Sequence, residues 1–158
     1  MDNTKKSRMK GNKYFFLGGV CVMVLIAIFL RTTFSVHHTT ILLGKIPIHA
    51  EIASTPEARV KGLSGRLSLP ADEGMLFIFP TSDRYTFWMI DMHFPLDIIW
   101  LRQGVVVDIA KEVPFPKENT PTDSLFRYAP RLPADSVLEI PAGTADRAGV
   151  HIGDTLYH

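Results

Sequence analysis

Cysteine is almost missing from this chain: Cys21 is the only one in 158 residues, and it lies inside an apolar run. The remainder can close no internal disulfide and offers no thiolate as nucleophile or metal ligand. Metal spacing is also lacking. The six histidines (His37, His38, His49, His93, His151, His158) form no H-x-x-x-H pair. Distant ligands can still converge, but spacing alone predicts neither a metal site nor a cofactor. There is no G-x-S-x-G elbow, no glycine-rich phosphate loop and no internal repeat, which removes the commonest signatures of acyl and phosphoryl transfer. A large charge of one sign is missing as well, since 17 Lys and Arg stand against 16 Asp and Glu.

That near balance hides a split. Lys5, Lys6, Arg8, Lys10 and Lys13 face only Asp2 in the first 13 residues, a local charge of +4. From residue 41 onward, 11 basic residues meet 15 acids, which gives −4. A mildly acidic domain has no electrostatic footprint for nucleic acid, whose binding depends on neutralising phosphates, so no nucleic-acid partner is expected.

Between tail and domain, residues 14–30 are uncharged and mostly apolar. Seventeen helical residues rise about 26 Å at about 1.5 Å each, near the roughly 30 Å of a hydrocarbon core. Lys13 and Arg31 can snorkel to the two interfaces and make up the difference. Basic residues flanking one end keep that end cytoplasmic. The sequence therefore predicts a basic tail (1–13), a single transmembrane anchor (14–30), a linker (31–40) and a globular domain (41–158) on the extracytoplasmic, periplasmic side. A cleaved signal competes with the anchor, but its apolar stretch is usually shorter and ends in an A-x-A site. Here only Thr33-Phe-Ser35 imitates such a site, and Cys21 is mid-run rather than at the end where a lipoprotein needs it.

Past the linker the period changes. Ile46, Ile48, Ala50 and Ile52 alternate with Pro47, His49 and Glu51, a half-buried strand that Gly44-Lys45 turns from an earlier one over 40–43. Pro47 cannot donate to a ladder and belongs at an edge or a strand start. Thr55-Pro56-Glu57 reads as a capped helix start and Gly62 as its stop, two turns on. Residues 75–79, closed by Pro80, read as a buried strand, and 87–89 as another. Residues 98–101 and 105–109 flank a hairpin turn at Arg102-Gln-Gly104. Five prolines (114, 116, 121, 130, 133) then mark a long loop, of the kind that in compact domains is functional or disordered. Residues 137–140 are again strand-like, and residues 142–149 carry one helical turn. Many short strands with one or two short helices predict a mainly β domain, a β-sandwich or barrel-like fold.

Several fragments occur together in a specific order: Arg59 with Gly62-Leu63, Glu73-Gly-Met-Leu-Phe77, Phe87-Trp-Met89, Pro95-Leu-Asp-Ile-Ile99, Val137-Leu-Glu139, and Gly143 through Gly153-Asp154. This pattern resembles the DUF192 family, a bacterial and archaeal group named as a domain of unknown function. The resemblance spans roughly residues 46–156 and implies a compact, mainly β domain often carried behind a signal or anchor. It implies no reaction. Where the family commonly shows lysine and asparagine after F-W-M, this chain has Ile90 and Asp91.

The candidate ligand-binding residues are Trp88, Asp91, His93, Asp97 and Glu73. Trp88 is either core or a stacking platform. Asp97, set between Leu96 and Ile98, is either a site acid or a structural carboxylate, paired with Arg59 or Arg66 or accepting backbone N–H bonds. Glu73-Gly74 reads as a ligand contact or a turn, and Glu139 as the outward position of an alternating strand. The reading that follows is a membrane-tethered ligand-binding or accessory module of the cell envelope. Two alternatives stand beside it: an envelope hydrolase using Asp97 with Glu73 or His93, and an interaction domain that docks a protein through the Pro-rich loop.

Overall fold

The computed structural model describes residues 37–156, so the expected tail, anchor and most of the linker lie outside the described residues. Among the described residues no helix is long and apolar enough to cross a membrane.

Six strands and two short α-helices make up the domain. They are β1 (His38–Leu43), β2 (Ile46–Ala53), α1 (Pro56–Lys61), β3 (Glu73–Asp83), β4 (Leu96–Arg102), β5 (Val105–Val113), β6 (Ala134–Pro141) and α2 (Thr144–Ala148). They form one six-stranded sheet in the order β1-β2-β3-β6-β4-β5. Where the pattern of short strands suggests a sandwich or barrel, hydrogen bonding gives a single mixed sheet with β1 and β5 at its edges. All pairings are antiparallel except β2 with β3. A parallel neighbour requires a crossover, and α1 with the turn after it supplies one.

Both faces of the sheet are covered. Ile48, Leu76, Ile99, Leu138 and Ile140 pack on one side beneath Ala145, Val150 and Leu156 from α2 and the C-terminal segment. Met75, Phe77, Ile98, Trp100 and Val137 pack on the other beneath Leu63, Met89 and Met92. This explains why the central strands read as unbroken apolar runs: six successive residues of β4, 96–101, are buried. Burying an Ile or Leu side chain of this kind contributes about 1.5–3 kcal/mol.

Local chemistry sets the boundaries. Thr55 Oγ1 accepts from the Ala58 N–H and caps α1, while Gly62 ends it at φ 48°. Gln103 and Gly104 both have positive φ (53° and 78°), the backbone of a type I′ hairpin turn. Pro47 is the second residue of β2, opposite Leu42 and ahead of the parallel ladder that starts at His49.

The strand boundaries depart from the sequence pattern in three places. β1 takes in residues 38–40, assigned above to the linker, because β-branched Thr39 and Thr40 pair with Ala50 and His49. β3 does not stop at Pro80 but runs to Asp83, the irregular register between Ile78 and Asp83 absorbing the proline. Residues 87–89 are not a strand; their one ladder contact is an isolated bridge between Phe87 and Tyr128.

Candidate functional site

Strand alternation decides which way Glu139 faces. In β6, Leu138 and Ile140 belong to the face under α2, so Val137 and Glu139 point to the other. There Glu139 stands directly between Met75 of β3 and Ile98 of β4 in register. It is only 5% exposed. Among the described residues no group donates to or accepts from its carboxyl. Burial alone pushes this carboxyl up to about 8, so at neutral pH it is mostly protonated and can both donate and accept a hydrogen bond.

Glu139 lines a cavity of about 480 Å³ walled by α1, β3 and the connection from Arg84 to Pro95. The wall is aromatic. Phe77 meets Phe87 edge to face at 4.9 Å between ring centroids, and Phe79 stacks on Tyr85 at 3.6 Å. Trp88 completes that side, half-exposed, with the Arg127 guanidinium 3.9 Å above its ring. α1 forms the opposite wall although none of its residues is buried. It is held by Arg59, whose guanidinium donates to the carbonyls of Ser54 and Ile78 and lies 5.2 Å from the Phe79 centroid. The two walls are joined where Ser64 Oγ donates to the Ile90 carbonyl and the Gly65 N–H to that of Asp91, at 2.9 and 2.8 Å. From below, Trp100 Nε1 donates to the Tyr85 carbonyl and fixes the start of the connection.

The residues singled out from sequence are not brought together. Trp88 lines the cavity. Asp91 and His93 are exposed on its outer side, with Nε2 to Oδ1 at 4.0 Å, and Asp91 has φ 54°, an uncommon left-handed conformation. Asp97 is fully buried and faces the other side of the sheet, opposite Ile140. One of its oxygens accepts the Glu112 N–H and the other the Ala145 N–H, both at 2.8 Å. The expected pairing of Asp97 with Arg59 or Arg66 is therefore not formed. Arg66 instead makes a bidentate pair with Glu51 at 2.6 Å per bond, which raises the Arg66 pKa and lowers that of Glu51. Glu73 is the first residue of β3 rather than a turn, opposite His49 and near enough to Arg66 to reinforce its charge. Among the described residues no three His, Cys, Asp or Glu gather closely enough to hold a metal ion.

The DUF192 family model, described as "Uncharacterized ACR", matches residues 39–158. The chain belongs to the DUF192 family. No curated protein matches it. Among solved structures, this DUF192 chain is similar to a protein of unknown function from Novosphingobium aromaticivorans DSM 12444. That similarity has a TM-score of 0.68 at 28% identity and covers 80% of this chain and 89% of the other. It is also similar to a protein from Sinorhizobium meliloti 1021 put forward as a transcription regulator. There the TM-score is 0.66 at 28% identity, with 78% of this chain and 95% of the other covered.

Within this DUF192 domain, the two residues after Phe87-Trp-Met89 take separate roles: Ile90 lines the cavity and Asp91 is exposed beside it. Glu139 is the residue that sequence reasoning assigned to solvent. Its neighbours carried a signal, because a half-exposed strand needs polar residues at i±2, and here those positions are Val137 and Pro141. An acid with apolar residues on both faces of its strand points to a sheet covered on both sides.

Proposed function

We propose that this DUF192 domain is a ligand-binding module, tethered by residues 14–30 and presenting its cavity on the extracytoplasmic side of a membrane. The observation that carries the binding reading is the Glu139 carboxyl, which has no protein hydrogen-bond partner among the described residues and faces an aromatic cavity. A ligand that excludes water from this carboxyl without bonding to it loses about 1–3 kcal/mol, so the cavity favours ligands that hydrogen-bond to Glu139. The cavity volume is within the range of about 300–1,000 Å³ usual for small-molecule sites. The tether is supported by the apolar run and by the charge split on either side of it.

A hydrolase built on Asp97 finds less support. Both of its oxygens already accept backbone N–H bonds, and its side chain lies on the sheet face away from Glu139. Docking through the Pro-rich loop is the second reading, favoured by Phe126, which is 71% exposed on that loop. Regulation of transcription, suggested for the Sinorhizobium meliloti protein, fits poorly with the net charge of −4 from residue 41 onward.

The test is a thermal-shift screen of apolar and aromatic small molecules on the full-length protein in mild detergent, beside Glu139→Leu. Leucine fills the site without a polar atom, so the variant folds and serves as a matched control. Ligands should raise the wild-type Tm and leave the variant unmoved. A screen in which every shift is the same in both proteins, or in which none occurs, overturns the reading.

A further inference from the structure

The cavity has a polarity of its own. Glu139 is the only acid among the residues that line it, and it sits on the sheet at the base. Toward solvent the charges are of the other sign: Arg59 and Lys61 line the cavity from α1, and Arg127 covers Trp88. None of these three makes a salt bridge among the described residues; Arg59 bonds two neutral carbonyls through Nη1 alone, which leaves Nε and Nη2 without a recorded partner. Asp91 stands outside near Lys61, where both side chains approach Gly65, and Arg59 is the lining cation farther from that acid. Between base and mouth the surroundings are Phe77, Phe79, Phe87 and Leu63.

Resting on the binding reading above, we infer that the ligand is a small organic acid. It has a ring-sized apolar body in the aromatic cavity, an anionic group by Arg59 and Lys61 of α1, and a hydroxyl or carbonyl at its deep end that bonds to Glu139. Two features set this against an organic cation, the usual guest of aromatic walls. Two of the π faces that would receive a cation already hold a guanidinium, Phe79 that of Arg59 and Trp88 that of Arg127. The same guanidiniums repel a second positive charge and attract a carboxylate or phosphate. A fully apolar tail fits the walls but would cut the Glu139 carboxyl off from water without replacing its hydrogen bond, so the deep end of the ligand carries a polar atom.

Three probes of one shape separate the possibilities by titration calorimetry on the full-length protein. They are 3-(4-hydroxyphenyl)propionate, 3-phenylpropionate, which lacks the hydroxyl, and tyramine, which replaces the acid with an amine. The hydroxy acid should bind, the deoxy acid roughly ten-fold more weakly for want of one hydrogen bond, and tyramine not measurably. Glu139→Leu should bring the two acids to equal affinity. Lys61→Glu, on an exposed residue, should weaken both acids and leave their ratio unchanged. Tyramine binding ahead of the acids overturns the acid class and leaves the cavity as a binding site. A hydroxy acid that binds Glu139→Leu as well as wild type overturns the role of Glu139. If no probe binds, the screen above decides: Glu139-dependent ligands of another chemistry overturn the acid class alone, and none at all overturns the binding reading with it.

Discussion

Asp97 and Glu139 occupy neighbouring strands of one sheet, and their surroundings differ in the supply of N–H donors. The Asp97 carboxylate is the remote cap of α2, whose own cap residue, Gly143, has no side chain to offer, and it also holds the Glu112 N–H. Glu112 has φ 50° and lies where β5 slips register against β4, so one carboxylate fixes both a bulge and a helix start. Glu139 has no such donors. Its proton is retained to about pH 8 in the folded state, against an ordinary value of 4.5. Between those two pH values the native state binds more protons than the unfolded one, so the stability contributed by this group falls as pH rises and levels off above about 8. Denaturant unfolding of wild type and Glu139→Gln should show this directly. The wild type should lose up to about 5 kcal/mol relative to the variant between pH 4.5 and 8, and parallel curves would mean that Glu139 ionises freely. The Asp97 alternatives were visible in sequence because an acid in an apolar run must find partners. Which partners it found was not, since Ala145 is 48 residues away.

Short elements that pack against β6 are constrained by space more than by conformation. A Cβ on Gly74 would sit 2.7 Å from the Glu139 carbonyl oxygen and 3.0 and 3.2 Å from the γ-methyls of Ile140 and Ile48. The first of these atoms is backbone and cannot turn away. Gly74→Ala should therefore cost about 1–3 kcal/mol in denaturant unfolding, and a neutral substitution would show that β3 and β6 can part without loss. Pattern alone located α1, the β1–β2 and β4–β5 hairpins and the turn residues that close them, because each rests on contacts close in sequence. It failed for residues 87–89, whose apolar character serves the packing of Met89 onto the sheet rather than a ladder. It also failed for the extent of β3, where a register irregularity lets the strand pass Pro80. The parallel pairing of β2 with β3 and the insertion of β6 left no local trace. The cavity was not legible either, since it is made by three segments that meet only in space; of its polar and aromatic residues, Trp88 alone was marked out.

For the molecule as a whole, the charge split predicts orientation. Alkaline phosphatase, active only outside the cytoplasm, fused after His158 should be active in intact bacterial cells, and reversing the charge of Lys5, Lys6, Arg8, Lys10 and Lys13 should lower that activity. An inactive fusion to the unaltered chain would place the domain on the cytoplasmic side. Three paired charges tie outlying segments to the sheet: Arg66 to Glu51, Arg131 to Asp108 and Lys111 to Asp146. Arg131 secures the end of the Pro-rich loop: burial pushes Asp108 up, but the Arg131 guanidinium and backbone N–H hold it below its ordinary value. The strand order has a consequence for biogenesis. Among the described strands β6 comes last in chain order, yet it fills the slot between β3 and β4, and no ladder joins those two without it. A chain emerging N-terminus first thus holds two unjoined half-sheets, each with an exposed interior edge, until residues 134–141 arrive. If export is through a membrane channel, the sheet stays open and threadable until residues 134–141 have crossed, and β6 acts as the latch.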